Sequence, residues 1–206
     1  MCTRFFIELS NEALQDILES AKDSALRMRF TALNRPLKTS GEIRPTDVVP
    51  VIAPDRQGKR AVFPMYWGFT LPERKQPIVN ARCETAATLP TFRESWKSRR
   101  CIIPASYYFE WSHKKTPDGK TVTGDRYLIQ PEGSRLTFLC GLYRIEDRLP
   151  RFVVLTRPPS EALSQLHDRM PLILPGERID EWIHPEGDPE ALLPYALTDM
   201  FFEKAI

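Results

Sequence analysis

The sequence lacks every spacing that would build a metal site or a disulfide framework. Its four cysteines, Cys2, Cys83, Cys101 and Cys140, form no CxxC pair and no cluster with histidine. No structural metal is therefore expected, and a reducing cytoplasm suits the chain. No apolar run is long enough to cross a bilayer, so no membrane partner is expected. No basic, apolar and small-residue leader opens the chain. There is no internal repeat, no low-complexity tract and no break in composition that marks a linker, so residues 1–206 are expected to form one domain. An excess of charge of either sign is nearly absent too. The net charge is +2, so an anionic partner has to be met by local clusters rather than by the overall field. Histidine is scarce: only His113, His167 and His184 are present.

What is present describes a globular chain with many short elements. A 42% hydrophobic share with 27% charged residues is enough for a core, and 19 prolines imply frequent turns. Cys2 to Leu9 reads as a strand. Ser10 is a candidate cap for a helix running to about Phe30, with Ala13, Leu14, Ile17, Leu18 and Ala21 on one face. Val48 to Ala53 and Ala61 to Trp67 form a hairpin around Gln57-Gly58-Lys59. Thr91 to Arg100 is a short helix with Phe92 and Trp96 inward. Strands follow at Cys101 to Ile103, Tyr107 to Trp111, Tyr127 to Gln130, Thr137 to Tyr143 and Phe152 to Thr156, with a turn at Pro117 to Lys120. Ser160 caps a helix ending near His167, and Glu177 to Ile183 begins another. The fold class is α+β, mainly an antiparallel, barrel-like sheet with peripheral helices.

Five stretches can carry chemistry, and each also has a plain structural reading. Cys2 follows the initiator methionine, and small residues there permit removal of Met1. A freed Cys2 carries an α-amine and a thiol, with ordinary pKa values of about 7.7–8.0 and 8.5. Such a 1,2-aminothiol condenses with an aldehyde to a thiazolidine; otherwise Cys2 is a small buried hydrophobe. Asn80 and Arg82, in Val79 to Thr85, point the same way if extended; otherwise they are a turn asparagine and a surface arginine. Glu110 lies among aromatics in Tyr107 to Trp111, where desolvation lifts a carboxylate pKa; otherwise it faces outward on a strand. His167, in Leu166 to Pro171, is the best placed of the three histidines for proton transfer; otherwise it answers a helix dipole. Tyr66-Trp67-Gly68-Phe69, ahead of a basic loop, could stack on a base; otherwise it is core.

Taken in order, Met1-Cys2-x-Arg4-Phe5, Trp67-Gly68, Asn80-Ala81-Arg82-x-Glu84-Thr85, Phe109-Glu110-Trp111 and His167-Asp168-Arg169-Met170-Pro171 resemble the SRAP family, the SOS response-associated peptidase-like proteins that sense abasic sites in single-stranded DNA. The resemblance spans nearly the whole chain. Thr3 departs from the glycine usual after the family's cysteine, and the Glu42 to Thr46 segment lacks an asparagine often found before its proline. The resemblance implies a covalent link between Cys2 and the ring-opened aldehyde. Asn80 would position the Cys2 amine or the sugar. Glu110 would move protons, and His167 would assist opening of the deoxyribose. Arg4, Arg82 and Arg169 would hold phosphates, Trp67 and the loop after it would lie against bases, and Thr156 would add a polar contact near the sugar. No metal or organic cofactor is needed, since the aldehyde is already an electrophile. The expected partner is single-stranded DNA containing abasic sites, met by a monomer in the cytoplasm or on the nucleoid.

Two rival readings use the same residues. One is a cysteine peptidase or autoprotease in which the Cys2 thiolate attacks a peptide carbonyl, with His167 or Glu110 as base. The other is a non-catalytic single-stranded DNA-binding module, which would bind intact and abasic strands alike.

Overall fold

Apolar runs interrupted by proline become strands that are buried on both faces. The computed structural model describes residues 2–10, 12–22, 24–115 and 118–205. Its strands and helices run β1 (Arg4–Ile7), α1 (Glu12–Lys22), α2 (Ala25–Ala32), β2 (Gly41–Ile43), β3 (Val48–Pro54), β4 (Arg60–Trp67), β5 (Asn80–Arg82), α3 (Cys83–Ala86), α4 (Arg93–Ser98), β6 (Arg100–Ala105), β7 (Tyr107–Lys115), β8 (Thr121–Pro131), β9 (Thr137–Glu146), β10 (Leu149–Arg157), β11 (Met170–Pro171), α5 (Ile179–Ile183) and β12 (Met200–Lys204). Every residue of β3 and β6 is buried.

Five of these strands close on themselves. β4 pairs with β3, β3 with β6, β6 with β9 and β9 with β10, all antiparallel. The ring is completed by a parallel contact of β10 with β4, through Arg151 opposite Tyr66 and Phe152 opposite Trp67. The barrel is therefore antiparallel except at its closing seam. Its lumen is filled by Val49, Val51, Met65, Trp67, Ile103, Phe152 and Val154, which belong to one buried cluster. A second sheet, in the order β12-β8-β7-β1-β2, carries Cys2 at the N-terminal side of β1 and packs Phe5 and Tyr108 into the same cluster. The ring of Phe5 lies 5.2 Å from that of Trp67.

The expected hairpin is present, with Val48 opposite Tyr66 and Pro54 opposite Arg60. Asp55 accepts hydrogen bonds from the backbone N–H groups of Gln57 and Lys59 and so builds its turn. Three expectations need correction. The helix expected from Ser10 to Phe30 is two helices, because Ser24 adopts an extended conformation and its hydroxyl caps Leu26 N–H. The stretch after Ser160 is a run of turns rather than a helix, although His167 N–H still reaches Leu163 O at 3.1 Å. The strand expected at Tyr127 to Gln130 is the C-terminal part of the longer β8. Pro117 of the expected Pro117 to Lys120 turn lies outside the described residues, as does Met1.

Arg100 fastens the helices to the barrel. Its side chain has no exposed surface, yet no carboxylate among the described residues pairs with it directly. All five guanidinium N–H groups instead go to backbone carbonyls: Trp182 at 2.8 Å, Trp96 and Lys97 at 2.7 Å, Gly187 at 3.0 Å, and His184. Those of Trp96, Lys97 and Trp182 lie in the last turns of α4 and α5, where the helix has no partners for them, while the His184 carbonyl also accepts Gly187 N–H at 3.0 Å. A lysine offers three donors, so Arg100→Lys removes at least two of these bonds and leaves at least one buried carbonyl without a partner. The expected loss is about 2–5 kcal/mol, read as a lower midpoint and smaller ΔG in urea denaturation.

Candidate active site

The parallel seam positions the polar residues. Beyond its short pairing with β4, β10 continues against β5, with Val154 opposite Asn80, Leu155 opposite Ala81 and Thr156 opposite Arg82. On its other edge it leaves β9 and pairs with β11, Thr156 opposite Pro171 and Arg157 opposite Met170. β5 and the turn holding His167 to Arg169 are thus delivered to one end of β10. β1 and β7 bring Cys2 and Glu110 to the same place, since Arg4 pairs with Phe109.

Cys2 has no exposed surface. Asn80 Nδ2 donates to its carbonyl at 2.9 Å, and its Sγ lies 3.7 Å from Arg4 O. Burial pushes the thiol pKa upward, and the nearby Glu110 charge adds to this. Glu110 faces inward, 5% exposed, and burial raises its carboxyl pKa as well. Tyr108, on the same inward face of β7, is held un-ionised by burial and by the proximity of Cys2 and Glu110.

His167 is 8% exposed, with Nε2 3.7 Å from Glu110 Oε1. Its Nδ1 accepts the backbone N–H of Arg169 at 3.0 Å, and Nε2 is the ring nitrogen that faces Glu110. The exposed Asp168 carboxylate, 2.8 Å from Nδ1, favours a charged ring. Burial opposes it and prevails, with help from His113, whose ring centroid is 4.5 Å away, and the pKa falls to about 4. His113 carried no signal in sequence, because its approach depends on a register shift. Between Trp111 and His113, two steps along β7 face three along β8, from Arg126 to Thr123.

The residues expected to contact DNA are placed less uniformly. Arg82 is exposed on the same side of β5 as Asn80, while Ala81 between them is buried. Arg4 is half-buried and meets Glu42 at 3.2 Å. Arg169 is held by Glu84 in a two-pronged pair, at 2.6 and 2.8 Å, and donates to Thr156 O at 2.7 Å. That pair holds the Glu84 carboxyl near a pKa of about 2, and a phosphate at Arg169 must compete with it. Thr156 is wholly buried, its hydroxyl donating to Ala81 O. Trp67 corrects its expectation outright. Its ring is fully buried, stacked 5.9 Å from Phe152 and donating to Val79 O, so no ring face is open to a base.

The loop after Trp67 is exposed from Thr70 to Gln76. It turns at Gly68, whose φ of +131° suits only glycine and whose missing Cβ would stand 2.7 Å from Pro77 Cβ. No group of three or more histidine, cysteine or acidic residues among the described residues is arranged to hold a metal ion. No helix among them is long and apolar enough to cross a membrane.

The depressed imidazole gives a direct test. The His167 ring resonance is expected to titrate near pH 4 in the folded protein, against about 6.5 in a denatured chain. Unfolding then takes up a proton at His167 below about pH 6.5, so this residue costs stability as pH falls from there to about 4. NMR titration of the ring protons, with His167→Gln assigning the signal, measures both ends of that window.

Comparison with known proteins fits this arrangement. The family described as "SOS response associated peptidase (SRAP)" matches residues 1–203. The chain is 38% identical over 149 residues to "Abasic site processing protein YobE" of Bacillus subtilis, a stretch covering 65% of this chain and 66% of that one. It is 32% identical over 128 residues to "Abasic site processing protein YedK" of Escherichia coli, covering 60% of this chain and 55% of that one. The aligned stretch is thus less than two thirds of each relative's length. Two crystal structures, of proteins from Bacteroides thetaiotaomicron and Bordetella bronchiseptica, share the fold at a TM-score of 0.72 each, with 18% and 21% identity. They are covered over 92% and 100% of their length and match 100% of this chain. The chain belongs to the SRAP family.

Proposed function

We propose that this chain, acting as one domain over residues 1–206, senses abasic sites in single-stranded DNA and links to them covalently through Cys2 after removal of Met1. The observation that carries the reading is the convergence of Cys2, Asn80, Glu110 and His167 in one buried cluster. Relatives named as abasic site processing proteins support the abasic site as the target.

The chemistry follows from the groups. Removing Met1 turns the Cys2 nitrogen from an amide into an amine. His167, kept neutral by burial, can take the proton of the sugar's C1′ hydroxyl and return it to the ring oxygen O4′ as the C1′–O4′ bond breaks, giving the aldehyde and a C4′ hydroxyl. The amine adds to the aldehyde carbon, and the resulting hydroxyl leaves as water when Glu110, whose raised pKa favours its acid form, supplies a proton. The imine carbon is then attacked by Cys2 sulfur. The C–S bond forms at the protonated imine carbon as the thiol proton passes to the Glu110 carboxylate, and the C=N electron pair returns to nitrogen, leaving a neutral thiazolidine and Glu110 again in its acid form. Asn80, which holds the Cys2 carbonyl, fixes the residue while its two nucleophiles act in turn. Arg82 and Arg4 would supply phosphate contacts, with Arg169 joining when the strand displaces Glu84. The protein would work as a monomer in the cytoplasm, on the nucleoid.

A peptidase reading uses the same cysteine but requires a thiolate. The thiol here is pushed upward by burial and by a neighbouring carboxylate, the reverse of the depressed thiol of such enzymes. Amine-first chemistry suits this setting better, because the sulfur attacks only after the imine exists.

Incubation with a uracil-glycosylase-treated oligonucleotide should give one adduct that survives denaturation, with intact mass reporting Met1 loss and one strand per chain. A homogeneous sample retaining Met1 should give none. Glu110→Gln should slow linkage about a hundredfold or more while affinity for an intact strand is nearly kept. His167→Ala should slow reaction with the closed-ring abasic site far more than with a small free aldehyde. Peptide cleavage without any linked oligonucleotide would give the function to the peptidase reading instead.

A further inference from the structure

The inward face of β7 carries a polar atom that packing does not account for. Along this strand Tyr108, Glu110 and Ser112 are buried toward the core, whereas Tyr107 and Trp111 point the other way and are only half-buried. Tyr108 stands opposite Phe5 on β1 and Ile129 on β8, and all three side chains belong to the main buried cluster. A phenylalanine ring would fill that place equally well. Tyr108 is 1% exposed, and its hydroxyl has no hydrogen-bond partner among the described residues. A buried hydroxyl without a partner opposes folding, because it gives up water and receives nothing in exchange. Such a group calls for an explanation in function.

The surroundings of the hydroxyl supply one. Negative charge on Cys2 or Glu110 raises the Tyr108 pKa, which places the phenol tip beside the nucleophile and the acid. Burial raises it further, so at neutral pH the hydroxyl keeps its proton and is a donor. The other groups of the cluster are already occupied. Asn80 Nδ2 is committed to the Cys2 carbonyl, and the protons of Glu110 and His167 are the ones transferred. Tyr108 adds a neutral donor that no other step uses.

We propose that Tyr108 is a catalytic residue of the linking reaction, its hydroxyl donating to the aldehyde oxygen while the Cys2 amine adds. As the C–N bond forms, the C=O electron pair moves onto that oxygen. The surplus proton of the added nitrogen then passes to it, leaving a neutral carbinolamine. Tyr108 keeps its own proton throughout. Its hydrogen bond strengthens as the oxygen gains charge, which is what a donor fixed in a buried site contributes. The same bond holds the new hydroxyl while Glu110 protonates it for departure as water. The role rests on the aldehyde-linking reading, and a small aldehyde separates it from the choice of DNA as target.

Tyr108→Phe removes the donor and keeps the ring. In protein freed of Met1, it should slow adduct formation on an abasic oligonucleotide about ten- to hundredfold. The imine trapped by borohydride should appear more slowly by the same factor, since both products follow the assisted step. Affinity for an intact strand should be unchanged. The urea midpoint should hold or rise, because the lost hydroxyl had no partner in the fold. Ser112→Ala removes another buried hydroxyl of β7 that has no partner among the described residues, and it should leave the rate alone. An unchanged rate in Tyr108→Phe, slowing confined to ring closure, a lowered midpoint, or equal slowing by Ser112→Ala would overturn the role. Thiazolidine formation from acetaldehyde that Tyr108→Phe slows, with no adduct on abasic DNA, would keep the tyrosine and sink the DNA reading. Adducts on abasic DNA at equal rates with and without the hydroxyl would do the reverse, and no adduct of either kind would sink both.

Discussion

The two-residue parallel seam between β10 and β4 decides where everything else can go. A barrel closed along the whole of β10 would have no free edge left for the site. Because the contact stops after Phe152 opposite Trp67, the rest of that edge is open to β5, and the other edge passes from β9 to β11. One strand thereby holds four neighbours. Asn80 and Arg82 of β5 thereby meet Thr156 and the His167 turn, which lie more than seventy residues further along the chain. Trp67, at the seam itself, is the residue least able to move: its ring fills the lumen between Phe5 and Phe152, and its N–H is committed to Val79 just before β5.

The pocket pairs groups whose burial acts in opposite directions. Desolvation favours the neutral form of each, so it raises Cys2 and Glu110 and lowers His167. The outcome is a carboxyl shifted toward its acid form beside an imidazole shifted toward its base form, 3.7 Å apart. A site that charged either group permanently would lose half of the proton transfers that imine formation needs. The salt bridge of Arg169 with Glu84 lies at the rim, where the Glu84 side chain is 41% exposed, and solvent reduces its worth to about 1 kcal/mol or less. It can therefore give way to a phosphate, whereas the Arg100 network in the interior cannot.

Much of this was legible in the sequence because it depends on local pattern. The β3–β4 hairpin follows from two apolar runs around a turn, and the inward Phe92 and Trp96 follow from helical spacing. The inward Glu110 was left open by the sequence, since a strand glutamate among aromatics reads equally well either way. What was not legible depends on distant partners. Nothing local distinguishes Trp67 in a barrel lumen from Trp67 on a surface, and nothing local shows that Arg100 will find five carbonyls from α4, α5 and the turn beyond. The break at Ser24 was readable as a cap in principle, but the apolar period continues through it, and the period dominated the expectation.

The same alternation that sends Glu110 inward sends Phe109 and Trp111 outward, so β7 serves two surfaces with one register. A one-residue slip would exchange them, placing aromatics in the pocket and a carboxylate on the outer face. Two features oppose such a slip. Phe5 and Tyr108, paired across β1 and β7, are both buried in the core, and the register shift near Trp111 keeps His113 against His167 while Trp111 still faces Arg126. The constraint that aims the pocket's acid is therefore the one that aligns the outer aromatics. Substitutions that truncate either ring of the Phe5–Tyr108 pair should disturb both surfaces together, and those on the outer face should leave the pocket's geometry alone.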